Sequence, residues 1–313
     1  MRACRAITIT SHTRVPAADV VAIVNPLAGA GAAAHVAEAR VALLNAHFAA
    51  SRIAGAVHLT ARPHHAGELA RDAVANRARL IVAWGGDGTI NEVGSALAGS
   101  SVPLGVIPAG SGNGFASELG IPRAPAAAIE TALHGRPRAI DAGELDGRLF
   151  FNIAGIGFDA AIAEQFNTRA LGRRGMGPYV RIGLREAFRY RAARYRIRLD
   201  DERFDTSALL IAFANGREYG NRIRVAPHAK MDDGKLEAMI VEDRRPLSRL
   251  WSGRHLALGT ADKAPRVIAR SIESATIASD VEMVYHRDGE PGRAAGEVTV
   301  RIRPRILTVM VPA

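Results

Sequence analysis

The chain has 313 residues, 48% hydrophobic and 23% charged, a balance that excludes a disordered chain and leaves room for two domains. One cysteine, Cys4, excludes an internal disulfide and points to a reducing compartment. The formal net charge of +10 favours anionic partners (a nucleotide, nucleic acid or an anionic lipid surface), and no apolar run is long enough to span a bilayer.

Residues 1–18 lack periodicity and read as a flexible lead-in without a signal-peptide apolar region. Val20 to Val24 reads as a buried strand, followed by a turn at Asn25-Pro26-Leu27-Ala28-Gly29-Ala30-Gly31. Val36, Arg40, Leu43, Leu44 and Phe48 then recur at helical spacing. Val57 to Thr60 is a second strand, and Leu69, Ala73 and Val74 mark a helix after Pro63. Leu80 to Trp84 has the length and apolarity of a buried strand and runs into Gly85-Gly86-Asp87-Gly88-Thr89. Ile90, Val93, Gly94 and Leu97 continue at helical spacing, so that motif is a strand-to-helix turn. Glycines there allow backbone amides to approach a ligand, and a helix N-terminus favours anions.

Val102 to Ile107 is the next strand and leads into Pro108-Ala-Gly110-Ser111-Gly-Asn113-Gly114. Strands alternating with helices specify a parallel sheet covered on both faces, with ligands bound beyond the carboxyl ends of the strands. Three glycine-bearing turns therefore share one rim. After the helix Ala124 to His134, Arg136-Pro137-Arg138 marks a boundary, giving an α/β domain at 19–137 and a second domain at 138–313. In the second, Asp146-Gly147 between apolar runs is a hairpin signal. Strands at Tyr195 to Leu199, Ala208 to Ala214, Lys235 to Val241 and Val298 to Ile302 indicate an antiparallel sandwich, whose last strand is a candidate to return to the first domain.

Several nucleotide motifs are absent. No Walker-type phosphate loop occurs, and Gly110, Gly112 and Gly114 miss the dinucleotide spacing. His286-Arg287-Asp288 imitates a protein-kinase catalytic loop, yet Arg293 stands where the metal-binding asparagine belongs. No cysteine or histidine spacing suits zinc.

Asn25-Pro26-x-x-Gly29, Gly85-Gly86-Asp87-Gly88-Thr89-x-Asn91-Glu92, Pro108-x-Gly110-Ser111-x-Asn113 and Asp288-Gly289-Glu290 occur in the order found in soluble lipid kinases. The chain resembles bacterial diacylglycerol kinases and sphingosine kinases, also at Phe151-Asn-x-x-Gly155-x-Gly157-x-Asp159-Ala160 and Ala226 to Leu236. The resemblance implies an NAD kinase/phosphofructokinase-like α/β domain joined to a β-sandwich that takes the lipid. It implies ATP held by Asn25, Pro26, Gly29, Thr60, Gly85 to Glu92 (Ile90 and Asn91 included), Gly110, Ser111 and Asn113, with Asp87 organising Mg2+ around the phosphates. Glu290 is then the base that accepts the hydroxyl proton and Asp288 its neighbour. A structural magnesium would lie at the Asp233 carboxylate and the backbone carbonyls of Lys230 and Lys235. One departure is Gly114, where many members carry aspartate.

The resulting expectation is a cytoplasmic, ATP-dependent lipid kinase associated peripherally with anionic membrane, without nucleic acid as partner; monomer or homodimer stays open. An Arg181, Arg185 and Arg189 stripe on a helix predicted at Tyr179 to Arg191 is a candidate membrane contact. Alternatives are an NAD-kinase-like enzyme acting on a soluble substrate, or a catalytically weak lipid- or nucleotide-binding regulator, which Gly114 favours.

Overall fold

A computed structural model describes residues 18–29, 34–158, 160, 192–218, 224–243 and 266–313. Residues 1–17 of the lead-in, Gly31, Asp159 and the stretch 179–191, where the sequence predicts the arginine-bearing helix, lie outside the described residues.

The first part alternates strands and helices. Strands β1 (Val20–Val24), β2 (Gly55–Leu59), β3 (Leu80–Gly85) and β4 (Leu104–Pro108) pair in parallel in the order β4-β3-β1-β2. Between them run α1 (Ala34–Ala50), α2 (His65–Ala75) and α3 (Asp87–Leu97), and α4 (Gly114–Glu118) and α5 (Pro125–His134) follow β4. Every residue of β1, β3 and β4 is buried, as expected of parallel strands covered on both faces. Pro125 opens α5 because its missing amide hydrogen has no partner to lose there.

The second part is antiparallel, so the fold is a parallel α/β unit plus an antiparallel sandwich-like unit, as the alternation of motifs specifies. β5 (Arg136–Leu145) and β6 (Arg148–Phe150) turn at Asp146 and Gly147, both at positive φ, as a two-residue hairpin requires. β7 (Ile153–Gly157), β8 (Ala193–Leu199), β9 (Glu202–Ala214) and β10 (Leu236–Glu242) follow. Then come β11 (Val267–Ile272), β12 (Ser274–Ala278), β13 (Met283–Arg287), β14 (Glu290–Ala294) and β15 (Glu297–Val311). Phe150, Ile156, Phe213, Ile240 and Ile277 lie in the core these strands enclose.

β5 starts at Arg136, inside the stretch read as the domain boundary, and pairs with β15 along most of its length. β15 pairs with β12 at one end and, through Val309 and Leu104, with β4 at the other. Leu307, Val309 and Val311 enter the first core, whereas Val298 and Val300 lie in the second. One strand thus joins the parallel and antiparallel parts into a continuous sheet.

A break in the β5–β15 register between Arg303 and Leu307 brings Arg305 to φ 50°. The fully buried Asp141 carboxylate holds this bulge, accepting the Arg305 amide at 2.7 Å through Oδ1 and the Gly234 amide at 2.7 Å through Oδ2.

Candidate active site

The three glycine-bearing turns meet at the carboxyl ends of β1, β3 and β4, and their polar side chains tie them together. Asn25 Nδ2 donates to Thr89 Oγ1 at 3.0 Å, while Asn25 Oδ1 accepts the Leu27 amide. A Cβ at Gly85 would lie 2.5 Å from the Thr89 Cβ, so only glycine lets Thr89 pack back onto the strand end. Gly29, at φ 89°, approaches the Ala109 carbonyl so closely that a Cβ would sit 2.9 Å from it. Asn113 closes the third turn on itself, with Oδ1 accepting the Gly110 amide at 2.7 Å and Nδ2 donating to the Gly110 carbonyl at 2.8 Å. Thr60 joins the rim through its amide, which donates to the Val24 carbonyl.

Arg40 is a rim residue that the motifs do not contain. Its guanidinium lies over Trp84 at 5.5 Å and donates to the carbonyls of Asn25 at 2.8 Å and Ala28 at 2.7 Å. Its only trace in the sequence is an arginine within an otherwise apolar helical stripe. α1 folds beneath the first turn, which is why that arginine serves the rim.

α3 begins at the rim with Gly86 as its N-cap, and Gly86 has no side chain to satisfy the first-turn amides. Asp87 is the only carboxylate in the three turns. Its Oδ1 accepts the Phe115 amide at 3.4 Å. Burial and the charge of Asp288 push its carboxyl above the usual range, against the backbone amides of Phe115, Asn113 and Gly114 that favour the charged form. A carboxylate so placed suits a cation beside it. Ser111 is exposed on the same rim.

Other motif residues point elsewhere. Ile90 is buried in the core with 1% exposure, so it supports α3 rather than meeting a ligand. The Glu92 carboxylate accepts the amides of His64 and Ala66 at 3.1 Å and of Gly67 at 3.4 Å, capping the start of α2. Asn91 turns toward the second part of the chain, donating to Asp288 Oδ2 at 2.8 Å and to the Leu149 carbonyl at 3.2 Å.

The β13–β14 hairpin brings the remaining acids to this rim. Asp288 and Gly289, at φ 48° and 89°, form a two-residue turn in which Arg287 pairs with Glu290. The Asp288 carboxylate accepts the amides of Phe151 at 2.8 Å, Asn152 at 3.0 Å and Ile153 at 3.1 Å, besides Asn91. Four donors fix its orientation, so Asp288 is a positioning residue. Glu290 is held differently: its Oε1 lies 3.6 Å from where a Cβ of Gly88 would stand, directly over the first turn of α3. Burial raises its carboxyl above the usual range and the charge of Glu92 adds to this, while His64 and Arg287 pull it down. A carboxyl with a raised pKa beside a helix N-terminus is suited to taking a proton from a bound group.

The Asp232-Asp233-Gly234 turn lies apart from this cluster. Arg138 Nη2 donates to Asp232 Oδ2 at 2.8 Å and Asp141 holds the Gly234 amide. Asp233 is exposed, and its Oδ1 accepts the Lys235 amide at 3.2 Å. No group of three histidine, cysteine or acidic side chains suited to a metal occurs among the described residues. A magnesium here would rely on Asp233, the carbonyls of Lys230 and Lys235, and water, a donor set that hydrated Mg2+ accepts.

Comparisons agree with this architecture. Residues 19–145 match the model of the diacylglycerol kinase catalytic domain, and residues 152–311 that of the YegS C-terminal NAD kinase beta sandwich-like domain. A diacylglycerol kinase of Mycobacterium tuberculosis is 32% identical over 76% of this chain and 80% of its own length. A Klebsiella pneumoniae protein named "Probable lipid kinase YegS-like" is 32% identical over 67% and 71%. A Chromohalobacter salexigens protein of the same name is 38% identical, over 55% of this chain and 57% of its own. The crystal structure of a Bacillus anthracis diacylglycerol kinase superposes with a TM-score of 0.69 at 21% identity, covering 94% of this chain and 96% of that one, which speaks for the fold. The chain belongs to the family of diacylglycerol kinases and YegS-like lipid kinases.

Proposed function

We propose that the protein transfers the γ-phosphoryl group of ATP to the hydroxyl of a diacylglycerol-like or sphingoid lipid at a membrane surface. The observation that carries this reading is the seat of Glu290 above Gly88, at the start of α3. A phosphate chain lying against the α3 N-terminus would place its terminal phosphorus beside that carboxylate.

In this reading the acceptor hydroxyl enters between Glu290 and the nucleotide. Glu290 takes its proton as the oxygen bonds to the γ-phosphorus, and the bond to the departing ADP oxygen breaks. Asp87 would hold Mg2+, which supplies charge neutralisation at the phosphates. Asn25, Thr89 and Asn113 keep the turns in place, and Asp288 with Asn91 keeps the Glu290 hairpin docked on α3. The family, with lipid kinases and diacylglycerol kinases among its members, supports a lipid acceptor over a soluble one. No helix among the described residues is long and apolar enough to cross a membrane.

The test is transfer of labelled phosphate from ATP to diacylglycerol, monoacylglycerol, sphingosine and NAD in mixed micelles. Labelling of a lipid and not of NAD is the expected result. Labelling of NAD alone would replace this reading with a soluble-substrate kinase, and labelling of none with a binding protein.

A further inference from the structure

The outward face of the antiparallel part carries charge that the proposed chemistry does not use. β9, β8, β12 and β15 lie side by side, and alternation buries Tyr195, Ile197 and Leu199 while Arg194, Arg196 and Arg198 point outward. Register makes rows across the four strands. One row runs Arg203, Arg198, Thr276, Thr299, and the next Asp205, Arg196, Ala278, Glu297.

Most arginines on this face have an acidic partner. Arg194 pairs with Asp205 at 3.5 Å, Arg196 with Asp280 at 2.8 Å, and Arg301 and Arg303 share Glu144. The row of Arg203 and Arg198 is different. The two are direct cross-strand partners, both exposed, and neither has an acidic partner among the described residues. Arg198 makes only a long contact with Thr276 Oγ1, at 3.4 Å. Like charges directly opposite on a sheet cost stability, and an anion between them reverses the sign of that term. The pair lines a shallow groove of about 380 Å³ together with Arg196, Thr276 and two acids, Asp205, which Arg194 engages, and Glu297, so arginines outnumber carboxylates in its lining. At one end of the face, next to Asp280, Val281 is 58% exposed, one of two large apolar side chains so exposed among the described residues.

We propose that this face docks the protein on an anionic lipid surface, with Arg198 and Arg203 seated among lipid phosphates. The proposal rests on the membrane-surface reading above and names the contact that serves it. The groove is open and the face broad, so it matches many phosphates in one plane better than a single enclosed anion. Hydroxyls of Thr276 and Thr299 extend the row with donors to phosphate oxygen, and Val281 offers an apolar edge to the headgroup region.

The test compares the full chain with Arg198→Gln/Arg203→Gln in sedimentation with phosphatidylglycerol/phosphatidylcholine vesicles and with pure phosphatidylcholine vesicles. The parent should prefer the anionic vesicles at low salt. The double variant should bind them about thirty-fold more weakly, each arginine near such a surface contributing about fivefold. Equal binding of variant and parent, or equal binding of the parent to both vesicle types, overturns the proposal. A gain in melting temperature from inorganic phosphate, lost in the variant, with no vesicle preference, also overturns it by making the pair a free-phosphate site. Both side chains are exposed, so the variant should keep the parent's melting temperature or exceed it. Lipid phosphorylation in neutral mixed micelles is the separate readout for the enzymatic reading: the variant should retain it, and its absence in both proteins would fault that reading while leaving the vesicle result interpretable.

Discussion

Asn91, on the third helix of the parallel part, donates its side-chain amide to Asp288 in the last hairpin at 2.8 Å, across 197 positions of chain. The same carboxylate accepts three consecutive backbone amides, from Phe151 to Ile153. The base candidate two residues later is therefore aimed by hydrogen bonds that span both parts of the fold.

Asp288→Ala removes an acceptor from four donors. Stability should fall by about 2–4 kcal/mol, read by urea unfolding, and turnover should fall with it. A variant as stable as the parent but inactive would give Asp288 a direct chemical part instead.

Glu290→Gln should separate from that behaviour. Turnover should drop by roughly two to four orders of magnitude with little change in ATP affinity, since the proposed nucleotide seat lies on the other part of the chain. Turnover within threefold of the parent would remove Glu290 from the mechanism.

The raised Glu290 carboxyl has two pH consequences. The base works deprotonated, so kcat/KM should rise with pH through a value above the ordinary carboxylate range. Its folded-state pKa exceeds its unfolded one, so its stabilising contribution is present at acid pH and lost as pH rises through the folded value. Glu290→Gln should accordingly melt higher than the parent at neutral pH, with the difference closing below about pH 4. A parent and variant that melt alike at both pH values would mean that Glu290 is hydrated and unshifted.

Gly85→Ala would push a methyl group against Thr89, 2.5 Å from its Cβ. Thr89 must then leave Asn25, at a cost of about 1–3 kcal/mol, and ATP affinity should weaken as the first two turns part. Calorimetric titration with nucleotide reads this directly, and unchanged affinity would exclude those turns from the nucleotide site.

Asp87 and Asp233 are the two carboxylates proposed to hold magnesium, and they should respond differently. Asp87→Asn should weaken the magnesium dependence of ATP use. If Asp233 holds a structural ion, chelation should lower the melting temperature of the parent but not of Asp233→Ala. Identical responses of parent and variant would leave each as a turn residue.

Much of this protein is legible in one dimension. Buried strands such as Leu80 to Trp84, helix periodicity, and the Asp-Gly turn at 146 are local consequences of side-chain spacing and backbone preference, so the sequence suffices for the fold class. The glycine-rich turns were legible for the same reason, as was their family resemblance. The partners of the polar side chains were not. Glu92 and Asn113 sit inside the glycine-bearing motifs, yet their side chains cap a helix and close a loop, because those contacts depend on which backbone amides the fold brings near. Arg40 serves the rim only because α1 packs beneath it, and β15 joins both parts only because its two halves bury into different cores. Local composition encodes which elements form. Long-range packing alone decides which carboxylate is saturated by donors, as Asp288 is, and which is left buried with its proton affinity raised, as Glu290 is.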